Sequence, residues 1–99
     1  MQSDIDVYQS ISHLLSFKQI CNRCGLPQKK LTEMLDYGVI TPSAMTILDH
    51  EALYETDCVR KVHIALRLCR DLELNMAGAA LAIELLDEIN SLRERLQID

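Results

Sequence analysis

Tryptophan is absent, phenylalanine occurs once, and 99 residues contain only two prolines and three glycines. So few turn-formers leave little room for the closely spaced reversals of an all-β fold, so a mainly helical chain is expected. No apolar run reaches bilayer-spanning length. The start, Met1-Gln2-Ser3-Asp4-Ile5-Asp6, lacks the basic-then-apolar order of an export signal. A cytoplasmic location follows as the expectation, with Cys21, Cys24, Cys58 and Cys69 as reduced thiols. Cations are also short: 10 Lys and Arg against 15 Asp and Glu give a net charge of −5. That opposes nonspecific attraction to nucleic acid, which depends on neutralising phosphates, and suits a basic protein partner. There is no glycine-rich phosphate loop and no Ser-His-Asp order, and His13, His50 and His63 have neither ligand spacing nor an adjacent nucleophile. A non-enzyme without a cofactor is expected.

The length suits one domain with one modest core. We expect it to span 16–99, after an extension over 1–15 that ends in a short strand or turn. Ser16 followed by Gln19 is a capping-box pattern, and Phe17, Ile20, Cys21 and Cys24 recur at helical spacing. Gly25 fits a left-handed stop, and Pro27 fits the first turn of a second helix carrying Leu31, Met34, Leu35 and Tyr37 up to Gly38. Two short helices around a glycine turn form a helix-turn-helix. Val39-Ile40-Thr41-Pro42 leaves it extended. Over 43–55 two readings compete: short strands at Thr46-Ile47-Leu48 and Leu53-Tyr54 in a small wing, or a helix capped by Asp49. Wing-like structure to about residue 49 with helix after it is the preferred expectation. Cys58, Val62, Ala65, Leu66, Cys69 and Leu72 then mark the buried face of a third helix.

Asp71 to Leu96 holds a helix end, a tight corner and a long helix. Asn75 is placed to cap the last helix. Ala79, Ala82, Ile83, Leu86, Ile89, Leu92 and Leu96 repeat at three and four as one apolar stripe, with Leu81 and Leu85 one step off it. Ala77, Gly78, Ala79, Ala80 and Ala82 are small enough for close helix approach. Leu85, Leu86, Ile89, Leu92 and Leu96 give a heptad-like face available for self-association.

The order helix, glycine turn, helix, Gly38-Val39-Ile40-Thr41-Pro42, loop, helix, corner, long helix resembles the MerR-type winged helix-turn-helix superfamily. A narrower set resembles its chaperone-modulator (CbpM) family. It comprises Arg67, Leu68, Leu72, Leu74-Asn75-Met76-Ala77-Gly78, Ala80 and Ala82, then Leu85-Leu86-Asp87-Glu88-Ile89 and Leu92. The resemblance covers 16–96. It implies a mainly all-α fold with a reduced wing and a long C-terminal helix. It implies a short cytoplasmic regulator that binds the J-domain of a DnaJ-like co-chaperone and blocks its stimulation of the Hsp70 ATPase. It also implies homodimerisation through an antiparallel C-terminal coiled coil. The chain departs from the family in a longer N-terminal extension. The loop also has Ala52-Leu53-Tyr54 where Trp-x-Phe is expected.

The alternative within the superfamily is a DNA-binding regulator. There the second helix presents an Arg and aromatics; here Thr32 takes the Arg place, Glu33 follows it, and Ser43 to Tyr54 contains no Lys or Arg. DNA is therefore the less favoured partner. Cys21 and Cys24 have CxxC spacing, but Cys58 and Cys69 lie eleven apart, about 16 Å along a helix, too far to ligate one ion together. Four small hydrophobes explain them without a metal. The acidic positions Asp57, Asp71, Glu73, Glu84, Asp87 and Glu88 are the candidate surface for a basic partner helix.

Overall fold

A computed structural model describes residues 14–46 and 50–97. The order is β1 (Leu14–Ser16), α1 (Phe17–Cys24), α2 (Gln28–Asp36), β2 (Ala44–Met45), β3 (Ala52–Glu55), α3 (Asp57–Asp71) and α4 (Met76–Gln97). The mainly helical class with a reduced wing holds.

Ser16 starts α1 as expected. Its hydroxyl accepts from the Gln19 amide at 3.1 Å, and the Gln19 side chain accepts from the Ser16 amide at 2.8 Å. Two donors that the first helical turn leaves unpaired are thereby satisfied. Gly25 stops the helix at φ 66°, a left-handed value that costs glycine no Cβ clash, and the Leu26 amide returns to the Cys21 carbonyl at 3.0 Å. Pro27 stands just before α2 in extended geometry and its carbonyl accepts from Lys30 and Leu31. Gly38 (φ 79°) ends the motif, and the Val39 amide bonds back to the Met34 carbonyl at 2.9 Å. That turn drives Val39 and Ile40 into the core.

The wing is a three-stranded antiparallel sheet ordered β1-β3-β2, with Leu15 opposite Tyr54 and Ala44 opposite Leu53. Alternation along β1 and β3 turns Leu15 and Tyr54 inward. The alternative of a helix beginning at His50 does not hold: the expected strand at Leu53-Tyr54 lies within β3, and the helix after the wing starts at Asp57. His50 has a left-handed backbone (φ 53°), and Ala52 to Glu55 are committed to pairing with both neighbours. β2 covers Ala44 and Met45, earlier than the expected strand; Ile47, Leu48 and Asp49 lie outside the described residues. The extension before residue 14 does too, but its expected terminal strand is present as β1.

The core joins Ile20, Cys21, Leu31, Met34, Val39, Ile40, Tyr54, Val62, Ala65 and α4's Met76, Ala79 and Ile83. Each large apolar side chain among them contributes roughly 1.5–3 kcal/mol by burial. Tyr37, expected within the second helix, lies just past its end, where the chain is already turning toward Gly38, and is 53% exposed. Leu72, expected on the buried face of α3, is 63% exposed because α3 ends at Asp71 and the chain swings away.

The corner Leu72–Asn75 then reverses the chain. Glu73 adopts φ 55°, a left-handed value unusual for a residue with a Cβ. Asn75 caps α4: its side-chain oxygen accepts from the Gly78 amide at 2.8 Å, and its carbonyl accepts from Ala79 at 3.0 Å. A Cβ at Gly78 would meet that same oxygen at 3.3 Å and Leu74 at 3.6 Å, so a small residue leaves the cap room. Across the hairpin, Lys61 Nζ approaches Asp87 at 3.6 Å.

Candidate partner-binding faces

α4 does not carry one apolar stripe. It carries two on opposite sides. Met76, Ala79 and Ile83 are 0–5% exposed and pack inward. Leu81, Leu85, Ile89, Leu92 and Leu96 are 46–77% exposed. At 3.6 residues per turn the two sets are centred roughly 150° apart. Reading all of them as a single face merged the sets, because Leu86 stands three residues from both Ile83 and Ile89 and so bridges them. Leu86 falls on the flank between the stripes and is 46% exposed. From Glu84 to Gln97 every residue is exposed, so about 20 Å of helix extends past the domain's core.

The expected self-association residues Leu85, Ile89, Leu92 and Leu96 are thus gathered on one solvent-facing side, and Leu86, expected with them, lies off it toward the core-facing set. Leu81, set one step off the stripe in the sequence reading, belongs on this outer face. The charged flank of the same helix carries Glu84, Glu88 and Arg95 within roughly 40° of one another.

The six expected acidic contacts do not form one patch. Asp57 and Asp71 sit at opposite ends of α3, about 21 Å apart along its axis. Asp57 receives hydrogen bonds from Arg60 at 2.8 and 3.3 Å, and these hold its carboxyl below the usual carboxylate range. Asp71 is bonded by Arg70 at 2.9 Å, and Asp87 faces Lys61. Glu73, Glu84 and Glu88 have no cation against them among the described residues. Two of these free carboxylates stand next to the outer stripe on α4, and the third stands at the corner.

The helix that would enter a DNA groove, α2, exposes Lys29, Thr32, Asp36 and Tyr37 around a shallow depression. Lys30 is engaged by Glu33 at 3.2 Å, so the charge following Thr32 is negative and spends a neighbouring cation. A cleft of about 220 Å³ between the α2 exit and the start of α3 is lined by Ile40, Thr41, Ser43, Glu55, Cys58 and Lys61 among others.

All four cysteines are free thiols, with Cys21 and Cys58 buried. Burial pushes the Cys21 thiol up. It does the same to Cys24, aided by Cys21 and opposed by Arg23. Cys58 is raised by burial against a hydrogen bond from the Thr41 backbone. Raised thiols are poor nucleophiles and poor ligands at neutral pH. Among the described residues, no helix is long and apolar enough to cross a membrane.

These features define a winged helix-turn-helix domain with a projecting C-terminal helix. The family model described as "MerR HTH family regulatory protein" matches residues 15–98. Chaperone modulatory protein CbpM of Coxiella burnetii (strain Dugway 5J108-111) is 30% identical over 83 residues, covering 84% of this chain and 76% of that protein. Chaperone modulatory protein CbpM of Pseudomonas putida (strain W619) is 30% identical over 79 residues, covering 80% and 76%. The counterpart in Pseudomonas entomophila (strain L48) is 29% identical over 79 residues. The chain therefore belongs to the MerR helix-turn-helix regulatory family, within its CbpM chaperone-modulator branch.

Proposed function

We propose that this protein is a cytoplasmic chaperone modulator that occupies the J-domain of a DnaJ-like co-chaperone and so prevents it from stimulating the Hsp70 ATPase. It acts by competition, with no catalytic step and no cofactor. The observation that supports this reading best is the helix-turn-helix itself. It is retained as a scaffold, but α2 offers Thr32 and an ion-paired Glu33 where phosphate contacts need cations or neutral donors. Free carboxylates at Glu73, Glu84 and Glu88 supply the charge that a basic J-domain helix would meet, chiefly speeding and orienting the encounter.

The test is a pull-down of purified J-domains with the full chain, an Hsp70 ATPase assay, and a DNA mobility shift in parallel. Capture of a J-domain with loss of its ATPase stimulation is the expected result. A shift of DNA with no J-domain capture would reverse the reading in favour of a DNA-binding regulator. Reversing the charge of Glu73, Glu84 and Glu88 together weakens binding and flattens its salt dependence. Affinity indifferent to both leaves that surface without a role.

The outer face of α4 supports a second element of the proposal, a homodimer. Five half-exposed Leu and Ile side chains per chain, at roughly 1 kcal/mol each, give about 10 kcal/mol across a symmetric pair. That is comparable to the about 4–15 kcal/mol that association costs, so assembly depends on concentration. Antiparallel pairing sets the Glu84–Glu88 end of one helix beside the Arg95 end of its partner, whereas parallel pairing sets like charges together. A monomer mass by light scattering at every accessible concentration would refute this element.

A further inference from the structure

The outer half of α4 lacks what usually keeps a helix formed, and this inference rests on the self-association just proposed. Beyond Ile83 no α4 side chain is buried, and among the described residues the one ion pair from this stretch to the rest of the domain is Lys61 to Asp87, at 3.6 Å between partly exposed groups. Such a pair holds little in water. Within the helix, charges help only at spacings of three or four. Between Glu84 and Gln97 no acidic and basic residue stand at those spacings: Glu84 meets Asp87 and Glu88, both of like sign, while Arg93 and Arg95 reach Ile89, Asn90, Ser91, Leu92, Leu96 and Gln97. Asn90 and Ser91 are weak helix formers placed at the middle of this stretch. The favourable dipole contribution from Arg93 and Arg95 at the C-terminal end is small for exposed groups. Meanwhile Ile89, Leu92 and Leu96 present an apolar edge to water that helix formation alone does not hide.

We propose that residues 88–97 are helical only in the self-associated protein, so that this part of α4 folds as the two copies pair. The first two turns, Met76 to Ile83, are fixed by the core in either state and serve as the nucleus from which the helix propagates. Pairing supplies the missing energy by covering Ile89, Leu92 and Leu96 and by bringing Glu84 and Arg95 of opposite copies together. Association then carries an ordering cost, and the helical content of the protein tracks its concentration.

Hydrogen exchange by mass spectrometry on the full chain tests this, run at concentrations on either side of the mass change seen by light scattering. In the monomer, amides of 88–97 should exchange within about tenfold of an unstructured peptide, while those of 79–83 stay protected. On association, 88–97 should gain protection. Ile89→Asp provides a monomer at high concentration, and it should show loss of protection confined to the same segment. A dimer that dissociates while 88–97 remains as protected as 79–83 overturns the inference and leaves self-association standing. A chain that is monomeric at every concentration overturns self-association, and this inference falls with it.

Discussion

Two isoleucines on one helix, six residues apart, separate folding from assembly. Ile83 is 5% exposed and belongs to the core, whereas Ile89 is 46% exposed on the outer stripe. Ile83→Ala removes three buried carbons and leaves a cavity in the core cluster, at a cost of about 2–5 kcal/mol. Against a total stability of roughly 5–15 kcal/mol this is a large loss. With a urea slope near 1–2 kcal/mol/M for a chain of this size, the midpoint falls by about 2 M. The loss appears at every protein concentration. Ile89→Ala deletes atoms that touch little in a single chain, so the monomer's stability stays within about 0.5 kcal/mol of the parent. In a symmetric pair two copies of the contact disappear. At roughly 1–1.5 kcal/mol each the dimer weakens by about 2–3 kcal/mol, or about 30–150-fold in Kd. Urea melts below the dissociation concentration, combined with light scattering over a dilution series, measure both quantities. Equal loss of monomer stability from the two substitutions would show that the outer half of α4 packs on its own domain, and the division into two stripes would be wrong.

The other predictions concern the local devices of the fold. Ser16→Ala removes the hydroxyl that accepts from Gln19 and should lower stability by about 1 kcal/mol in a denaturant melt; a change under 0.3 kcal/mol would mean the cap contributes nothing. Glu73→Gly relieves a left-handed backbone at φ 55° and should raise the unfolding free energy by about 0.5–1 kcal/mol, net of the extra freedom glycine gives the unfolded chain. A loss there would show that the Glu73 side chain itself holds the corner. The thiols of Cys21, Cys24 and Cys58 are raised on folding, so the unfolded chain ionises first. Their contribution is intact below the ordinary thiol pKa of about 8.5 and is lost as pH climbs through the folded values. Urea midpoints should be level from about pH 6.5 to 8 and fall above about 9, less steeply in Cys58→Ala. An alkaline slope unchanged in that variant would remove Cys58 from the account.

Much of the domain was legible because its boundaries are set by local chemistry. Ser16 and Gln19, Gly25, Gly38 and Asn75 each act on backbone groups within a few residues, so their sequence positions predicted where helices begin and end. The wing was less legible. Ala52 to Glu55 suit helix or strand on their own, and pairing with β1 and β2, residues distant in the chain, settled the matter. The acidic surface was legible only as a composition. Local cations at Arg60, Lys61 and Arg70 occupy half of the expected carboxylates, and the other half divides between the corner (Glu73) and α4 (Glu84 and Glu88).

By itself, then, the sequence determined the helix-turn-helix, the long last helix and the family to which both belong, because capping, glycine stops and apolar periodicity are properties of neighbouring residues. It also determined that the last helix has more apolar surface than one contact uses. Only the tertiary structure decided which residues face which way. Burial of Met76, Ala79 and Ile83 against α2 and α3 fixes the rotation of α4, and that rotation turns Leu81, Leu85, Ile89, Leu92 and Leu96 outward. Periodicity gives a helix its faces, but what packs against one of them decides which face is left for another chain.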